Sequence, residues 1–279
     1  MVSKFISFTT IGDLCIDIYP NHNKVLLGGT AFNVAYHAKK AGADASIISL
    51  VGEDRYGDLF IQKAQKQEIN TDYLEQVPGK TSSVQIPLDE NGKPQFAGWE
   101  LGVLEHLELT PKHTLFLQNQ DAVRAILLKP LQKSFEQFCK LTLPHTLKVG
   151  DLAGGSIYSI ETDEIERYVE GLDMIIWSVG NGLKSFPIEI NHLKQLAKKY
   201  NKIVLASLGE KGSMIFTKDR EYFEPAIPVD VTDTTGAGDA YIAYFMTNYL
   251  QTKDIATSMK IGSKAASEVV EQFGSGASF

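Results

Sequence analysis

What most restricts the fold of this chain is a repeated alternation of short apolar runs with longer segments of helical period. Residues 5–11 form a β-rich apolar run that ends at Gly12-Asp13, the pattern of a buried strand. Residues 30–41 place Ala31, Val34, Ala35 and Ala38 at helical spacing, and Gly42 follows as a stop. Residues 45–51 repeat the strand signal and 56–67 the helical one. After residue 110 the alternation resumes. Strands are expected at 114–117, 147–149, 174–178, 203–207 and 213–217, and helices at 122–138, 161–169, 188–200, 237–250 and 254–270. Strands alternating with helices imply a mostly parallel sheet covered on both faces, an α/β architecture of three layers.

Two stretches break the rhythm. Residues 81–101 alternate in polarity around Asn91-Gly92 and predict a hairpin, and residues 13–27 read as extended. Together they are the candidates for a small β appendage on an otherwise single domain spanning 1–279. At 279 residues the chain is long enough for such a body with an appendage.

Composition narrows the partners. With 27 basic and 34 acidic residues the formal charge is −7, which argues against a nucleic-acid partner. No apolar run nears the ~20 residues of a membrane span. Cys15 and Cys139 are the only cysteines, too few for a disulfide framework or a four-thiolate zinc site, and they point to a cytoplasmic protein. The six histidines show no metal-ligand spacing.

The strongest chemical signal is Asp233-Thr234-Thr235-Gly236-Ala237-Gly238-Asp239, followed by an apolar run. Small residues opening a helix leave unpaired amides and a positive dipole end, which suit an anion. Asp239, in the first turn, is placed to take a proton from an attacking hydroxyl. The bland alternative is a helix start capped by Thr235 with Asp239 as a first-turn acid. No Gly-Lys-Ser/Thr follows the glycines, so this is not a P-loop, and no G-x-G-x-x-G follows the first strand.

These residues resemble the C-terminal signature of the PfkB/ribokinase carbohydrate kinases. The N-terminal signature is also similar: Gly28-Gly29, then Asn33, Ala35, Gly42 and, after nine intervening residues, Gly52. Ser207-Leu208-Gly209-Glu210-Lys211-Gly212 resembles the family's nucleotide loop. The resemblance covers nearly the whole chain. It implies a ribokinase-like α/β/α sandwich with a β lid, and a phosphotransferase that uses ATP and Mg²⁺. It also implies a role for each matching position. Asp239 would be the catalytic base, and Gly236, Ala237 and Gly238 the anion hole. Asp13, Gly28, Gly29 and Asn33 would hold sugar hydroxyls. Ser207, Gly209, Gly212 and Thr235 would contact the nucleotide. Asp233 and Thr235 would match a monovalent-cation site, as for K⁺. A homodimer formed through the lid is expected.

The chain departs from the family in places. The usual Asn-x-x-Glu becomes Ser178-Val179-Gly180-Asn181, which leaves water or Asn181 as routes for Mg²⁺. The usual Asp-x-Asn-x-Arg keeps only Asp151, and Tyr244 stands where a small residue is usual. Within the family, the start from Thr10 to Pro20 is most similar to the fructoselysine 6-kinases, as is the segment Trp99-Glu100-Leu101-Gly102. By that likeness Glu100 would meet a ligand ammonium group; the alternative is a solvated rim carboxylate. Fructose, ribose, 2-keto-3-deoxygluconate or a nucleoside remain as other acceptors, and a non-catalytic sugar or nucleotide sensor as another class.

Overall fold

A computed structural model describes residues 5–87, 97–154, 158, 160–179 and 186–277. They fall into two compact units, one made of residues 1–107 with 228–279, the other of 108–227.

The first unit begins with β1 (Ser7–Ile11), followed by β2 (Cys15–Tyr19), β3 (Lys24–Gly28), α1 (Thr30–Lys40), β4 (Asp44–Gly52), α2 (Arg55–Lys66), β5 (Asn70–Val77), β6 (Ser82–Gln85) and β7 (Ala97–Glu100). Strands β1, β4 and β5 lie side by side and parallel. Phe8, Ile11, Ile47, Ile48 and Val51 are fully buried there, as expected of strands covered on both faces. Helix α1 packs on β1 and β4, and α2 on β4 and β5. Phe32 of α1 meets Phe60 of α2 edge to face at 5.1 Å, an aromatic pair in its preferred geometry.

Asp54 caps α2 by accepting from Tyr56 N at 3.0 Å and Gly57 N at 2.9 Å. The same carboxylate accepts from Thr81 N and Thr81 Oγ1, both at 2.7 Å. One side chain thus caps a helix and anchors the chain entering β6.

The small sheet has the order β3-β2-β6-β7. It carries both predicted lid segments, 13–27 and 81–101. Strands β6 and β7 pair antiparallel, Ser83 opposite Glu100; the expected turn at Asn91-Gly92 lies outside the described residues. Alternation on β2 turns Cys15, Asp17 and Tyr19 to one face. Cys15 and Tyr19 form an apolar cluster there with Val84 and Ile86, flanked by Leu26, Trp99 and Phe273. On the opposite face Val25, paired with Ile18, is 49% exposed.

The second unit contains α3 (Pro111–Leu117), β8 (Ala122–Ile126), α4 (Gln132–Lys140), β9 (Leu147–Asp151), α5 (Glu166–Val169), β10 (Met174–Ser178), α6 (Phe186–Tyr200), β11 (Ile203–Ser207), β12 (Ser213–Phe216) and β13 (Glu221–Glu224). Strands β8 to β11 are parallel neighbours, and β12 and β13 continue the sheet antiparallel.

Two sequence expectations are corrected here. Residues 114–117 are helical, because Thr110 and His113 form a capping box ahead of them with Pro111 at the first position. Residues 122–126, expected as the start of a helix, form β8, and the helix begins only at Gln132. All five residues of β8 are buried, and a short apolar run buried on both faces has no period to read. Arg124 interrupts that run yet is fully buried, ion-paired to Asp151 at 2.5 Å. Strands β5 and β13 were not anticipated.

The chain closes with α7 (Ala237–Thr252) and α8 (Ile255–Val270) in the first unit, where α7 packs against α1 and α8. Tyr244 of α7 fits against Ala240, Ala265 and Val269. Among the described residues no helix is long and apolar enough to cross a membrane. The fold class is the one expected, parallel α/β with a separate small sheet.

Candidate active site

The amino end of α7 is built from backbone. Its N-cap is Gly236 with φ 79°, and no side chain caps it, so Thr235 does not fill the capping role. A Cβ at Gly236 would lie 2.4 Å from Ser275 Cβ; both the left-handed conformation and the close approach require glycine. At Gly238 a Cβ would meet none of the described residues within 4 Å. No side chain caps the first-turn amides of α7.

Asp239 stands in this turn, and its Oδ2 accepts from Asn33 Nδ2 at 2.9 Å. Asn33 is buried on α1, and among the described residues its Oδ1 has no hydrogen-bond partner. The start of α1 is set from outside by Asp13. Its carboxylate accepts from Thr30 N at 3.1 Å and Thr30 Oγ1 at 2.9 Å, and its carbonyl accepts from Ala31 N at 3.2 Å. Gly29 allows this contact, since a Cβ there would lie 2.5 Å from Asp13 O.

Sequence reasoning missed Asp17. It is buried on β2 opposite Leu26, and a Cβ at Gly28 would fall 2.0 Å from Asp17 Oδ2. Burial, and then the charges of Asp13, Asp239 and Asp233, push its carboxyl well above the ordinary carboxylate range. The signal that could have found it is the alternation Cys15, Asp17, Tyr19, which puts a carboxylate on an apolar face. Cys15, beside it, is a packing thiol: burial first, then Asp17, raises its pKa.

Asp233 is fully buried and shapes the turn into α7. Its Oδ1 accepts from Thr235 N and its Oδ2 from Gly274 N, each at 2.9 Å. Among the described residues Thr235 Oγ1 is buried and makes no hydrogen bond of good geometry. His37 Nε2 donates to Ser275 O at 2.8 Å. A short C-terminal strap, Phe273 to Ser275, is thereby fastened to the turn. Glu100 is exposed on edge strand β7, and no described contact carries it to this cluster.

In the second unit, Ser207 ends β11 and its Oγ donates to Ser178 Oγ at 2.9 Å. The loop that follows is closed by Leu208 N donating to Gly212 O at 2.8 Å. Gly209 and Gly212 have φ 59° and 103°. A Cβ at Gly212 would lie 2.1 Å from Glu224 O. Gly180 and Asn181 lie outside the described residues. Among the described residues no group of three or more His, Cys, Asp or Glu could hold a metal ion.

Comparison with known proteins follows the same residues. The model of the pfkB family carbohydrate kinases matches residues 10–137 and 181–279. The chain is 25% identical to fructosamine kinase FrlD of Bacillus subtilis over 95% of its own length and 90% of the relative's. It is also 25% identical to fructoselysine 6-kinase of Escherichia coli, over 96% and 98%. Among solved structures, a fructokinase of Vibrio cholerae crystallised with fructose, ADP and potassium superposes with a TM-score of 0.79 at 18% identity, covering 97% of this chain and 94% of that one. A ribokinase of Thermotoga maritima gives 0.76 at 19%, covering 99% and 96%. At such identities the structures establish the fold.

Proposed function

Because the chain belongs to the pfkB family of carbohydrate kinases, we propose that it moves the γ-phosphoryl group of ATP to a primary hydroxyl of a ketose-derived sugar, with fructosamines such as fructoselysine as the favoured class. The observation that carries this reading is Asp239, held by Asn33 at the amino end of an uncapped α7. The acceptor hydroxyl lies against Asp239, which takes its proton as the oxygen attacks. The amides of Ala237, Gly238 and Asp239 stabilise charge on the transferring group. Asp17, with Asn33 Oδ1, accepts from sugar hydroxyls, and Asp13, Gly28 and Gly29 keep that wall in shape. Ser207, Gly209 and Gly212 serve the nucleotide.

Mg²⁺ carried on nucleotide phosphates and water would neutralise phosphate charge. A monovalent cation fits beside the Asp233 carboxylate, where among the described residues Thr235 Oγ1 is a buried oxygen that makes no hydrogen bond of good geometry. Bound there, it would add positive charge next to the anion-binding turn. The partly exposed face of the lid around Ile18 and Val25 supports a homodimer.

The fructosamine preference is supported by the names of the relatives reported above. Small pocket changes redirect such preferences, so a panel decides. ADP release is measured with fructoselysine, other fructosamines, fructose, ribose and adenosine. The highest kcat/KM is expected for a fructosamine. A preference for ribose or adenosine reassigns the acceptor, and no turnover with any sugar favours a sensor.

A further inference from the structure

Arg124 lies in the middle of β8 with none of its side chain exposed, and the other four residues of the strand are apolar and buried. It shares a face of the sheet with Asp151, since in the parallel register Arg124 stands opposite Val149 and Ile126 opposite Asp151. Arg124 Nη2 donates to Asp151 Oδ2 at 2.5 Å. Neither residue enters the transfer chemistry proposed above. A buried ion pair is a poor stabiliser: desolvating both groups costs about what their attraction returns, and uncharged replacements of similar shape are often neutral or better. What such a pair can fix is geometry.

The geometry fixed here is that of the chain leaving β9. Asp151 Oδ1 accepts from Ala153 N at 3.0 Å, and Ala153 has φ 50°, a left-handed conformation uncommon for alanine. The arginine thus orients the carboxylate that holds the turn. Leu152 N donates to Ile176 O at 3.0 Å. Gly154 closes onto the end of β10, where a Cβ would lie 2.4 Å from the Trp177 ring and 2.5 Å from Ser178 O. Ser178 Oγ accepts from Ser207 Oγ, and Val179 N donates to Ser207 O, each at 2.9 Å. A continuous set of contacts therefore runs from Arg124 through Asp151 and residues 152–154 to Ser178 and Ser207. It lies at the carboxyl ends of three neighbouring parallel strands, where open α/β sheets take their ligands.

We propose that Arg124 is a positioning residue for the nucleotide: through Asp151 it holds the turn at 152–154, which sets the Ser178–Ser207 end of the sheet that receives ATP. The inference rests on the reading of Ser207, Gly209 and Gly212 as the nucleotide loop. Arg124 is fully buried, so it acts through Asp151 and not by contact with a ligand. Its loss should be felt in nucleotide affinity and not in sugar affinity.

Removing one partner alone would leave a buried charge unpaired and destabilise the chain. The test is therefore Arg124→Met together with Asp151→Asn, an uncharged pair of similar size. Its Tm is expected within about 4 °C of wild type. ADP binding, followed by calorimetry with no sugar present, is expected to weaken about tenfold. In turnover the ATP KM should rise likewise, with the sugar KM within about twofold. Gly209→Asn is the reference variant. Asparagine tolerates the left-handed backbone there, and a Cβ meets no described atom within 4 Å, so a side chain enters the nucleotide loop while the fold is kept. Weaker ADP binding in Gly209→Asn with unchanged binding in the paired variant overturns the proposal and leaves the nucleotide reading standing. A wild type that binds no ADP, or unchanged binding in Gly209→Asn, overturns both together. A Tm more than about 4 °C lower in the paired variant overturns the proposal too, because the pair would then be a stabilising element of the core.

Discussion

Asn33 Nδ2 donates to Asp239 Oδ2 at 2.9 Å, joining the first turns of α1 and α7 across 206 residues of sequence. The bond fixes one carboxylate oxygen of Asp239. It makes the base and its holder a unit, and such units are non-additive. Asp239→Asn is expected to lower kcat about 10²–10⁴-fold, and Asn33→Ala about tenfold or more through lost positioning. In the Asp239→Asn background, Asn33→Ala should add little. ADP release from the two single variants and the double variant checks this; fully multiplicative losses would separate the two residues.

Asp17 couples stability to pH. Its folded-state pKa is raised, by burial first and then by Asp13, Asp239 and Asp233. The folded protein thus holds the proton more tightly than the unfolded chain, whose aspartates titrate near ~3.9. That contribution to stability is complete below the unfolded value and is lost as pH rises through the folded one. Asp17→Asn should remove the loss, so its Tm should exceed that of wild type at neutral pH. The same substitution should raise the sugar KM about tenfold with the ATP KM within about twofold. Equal changes in both constants would count against a sugar contact.

His37 acts in the opposite sense. Burial, assisted by Lys40, lowers its pKa to about 4 against the hydrogen bond to Ser275 O, which raises it. The neutral ring donates to Ser275 O and fastens the strap. An unfolded histidine titrates near ~6.5. The stability it contributes is therefore present above that value and is lost as pH falls toward about 4. His37→Gln should flatten the dependence between those limits. Urea titrations of both proteins at pH 7 and pH 5 measure it, and identical pH dependence would show that the ring carries no such linkage.

What the sequence reveals of this site depends on how local the geometry is. Gly236, Gly238 and Asp239 are legible as a helix start because a helix amino end is built from consecutive residues. Asp17 is not, because its burial depends on the pairing of β2 with β3, which lays it over Gly28. The Asn33–Asp239 contact requires two helices to pack. The strap from Phe273 to Ser275 has no motif, since it acts through a ring, one amide and one carbonyl. Most strands and helices follow from apolar period. That signal fails at 114–117, where a capping box overrides β-rich composition, and at 122–126, where burial on both faces erases the period.

Gly236 and Gly238, two residues apart, should respond differently to the same added methyl group. At Gly236 the backbone is left-handed, and the new carbon would press on Ser275 at 2.4 Å. Gly236→Ala should therefore destabilise the protein by about 1–3 kcal/mol from backbone strain and overpacking, seen as a fall in Tm, and lose activity with it. At Gly238 no described atom lies within 4 Å of the new carbon, and alanine is the better helix former. Gly238→Ala should keep or raise Tm. On the proposed reading, the transferring phosphoryl group approaches the first-turn amides through this space. A methyl group there should cut kcat/KM for ATP about 10–100-fold, within the range set by losing one such donor. A Gly238→Ala protein that folds and retains full turnover would move the anion hole away from this turn.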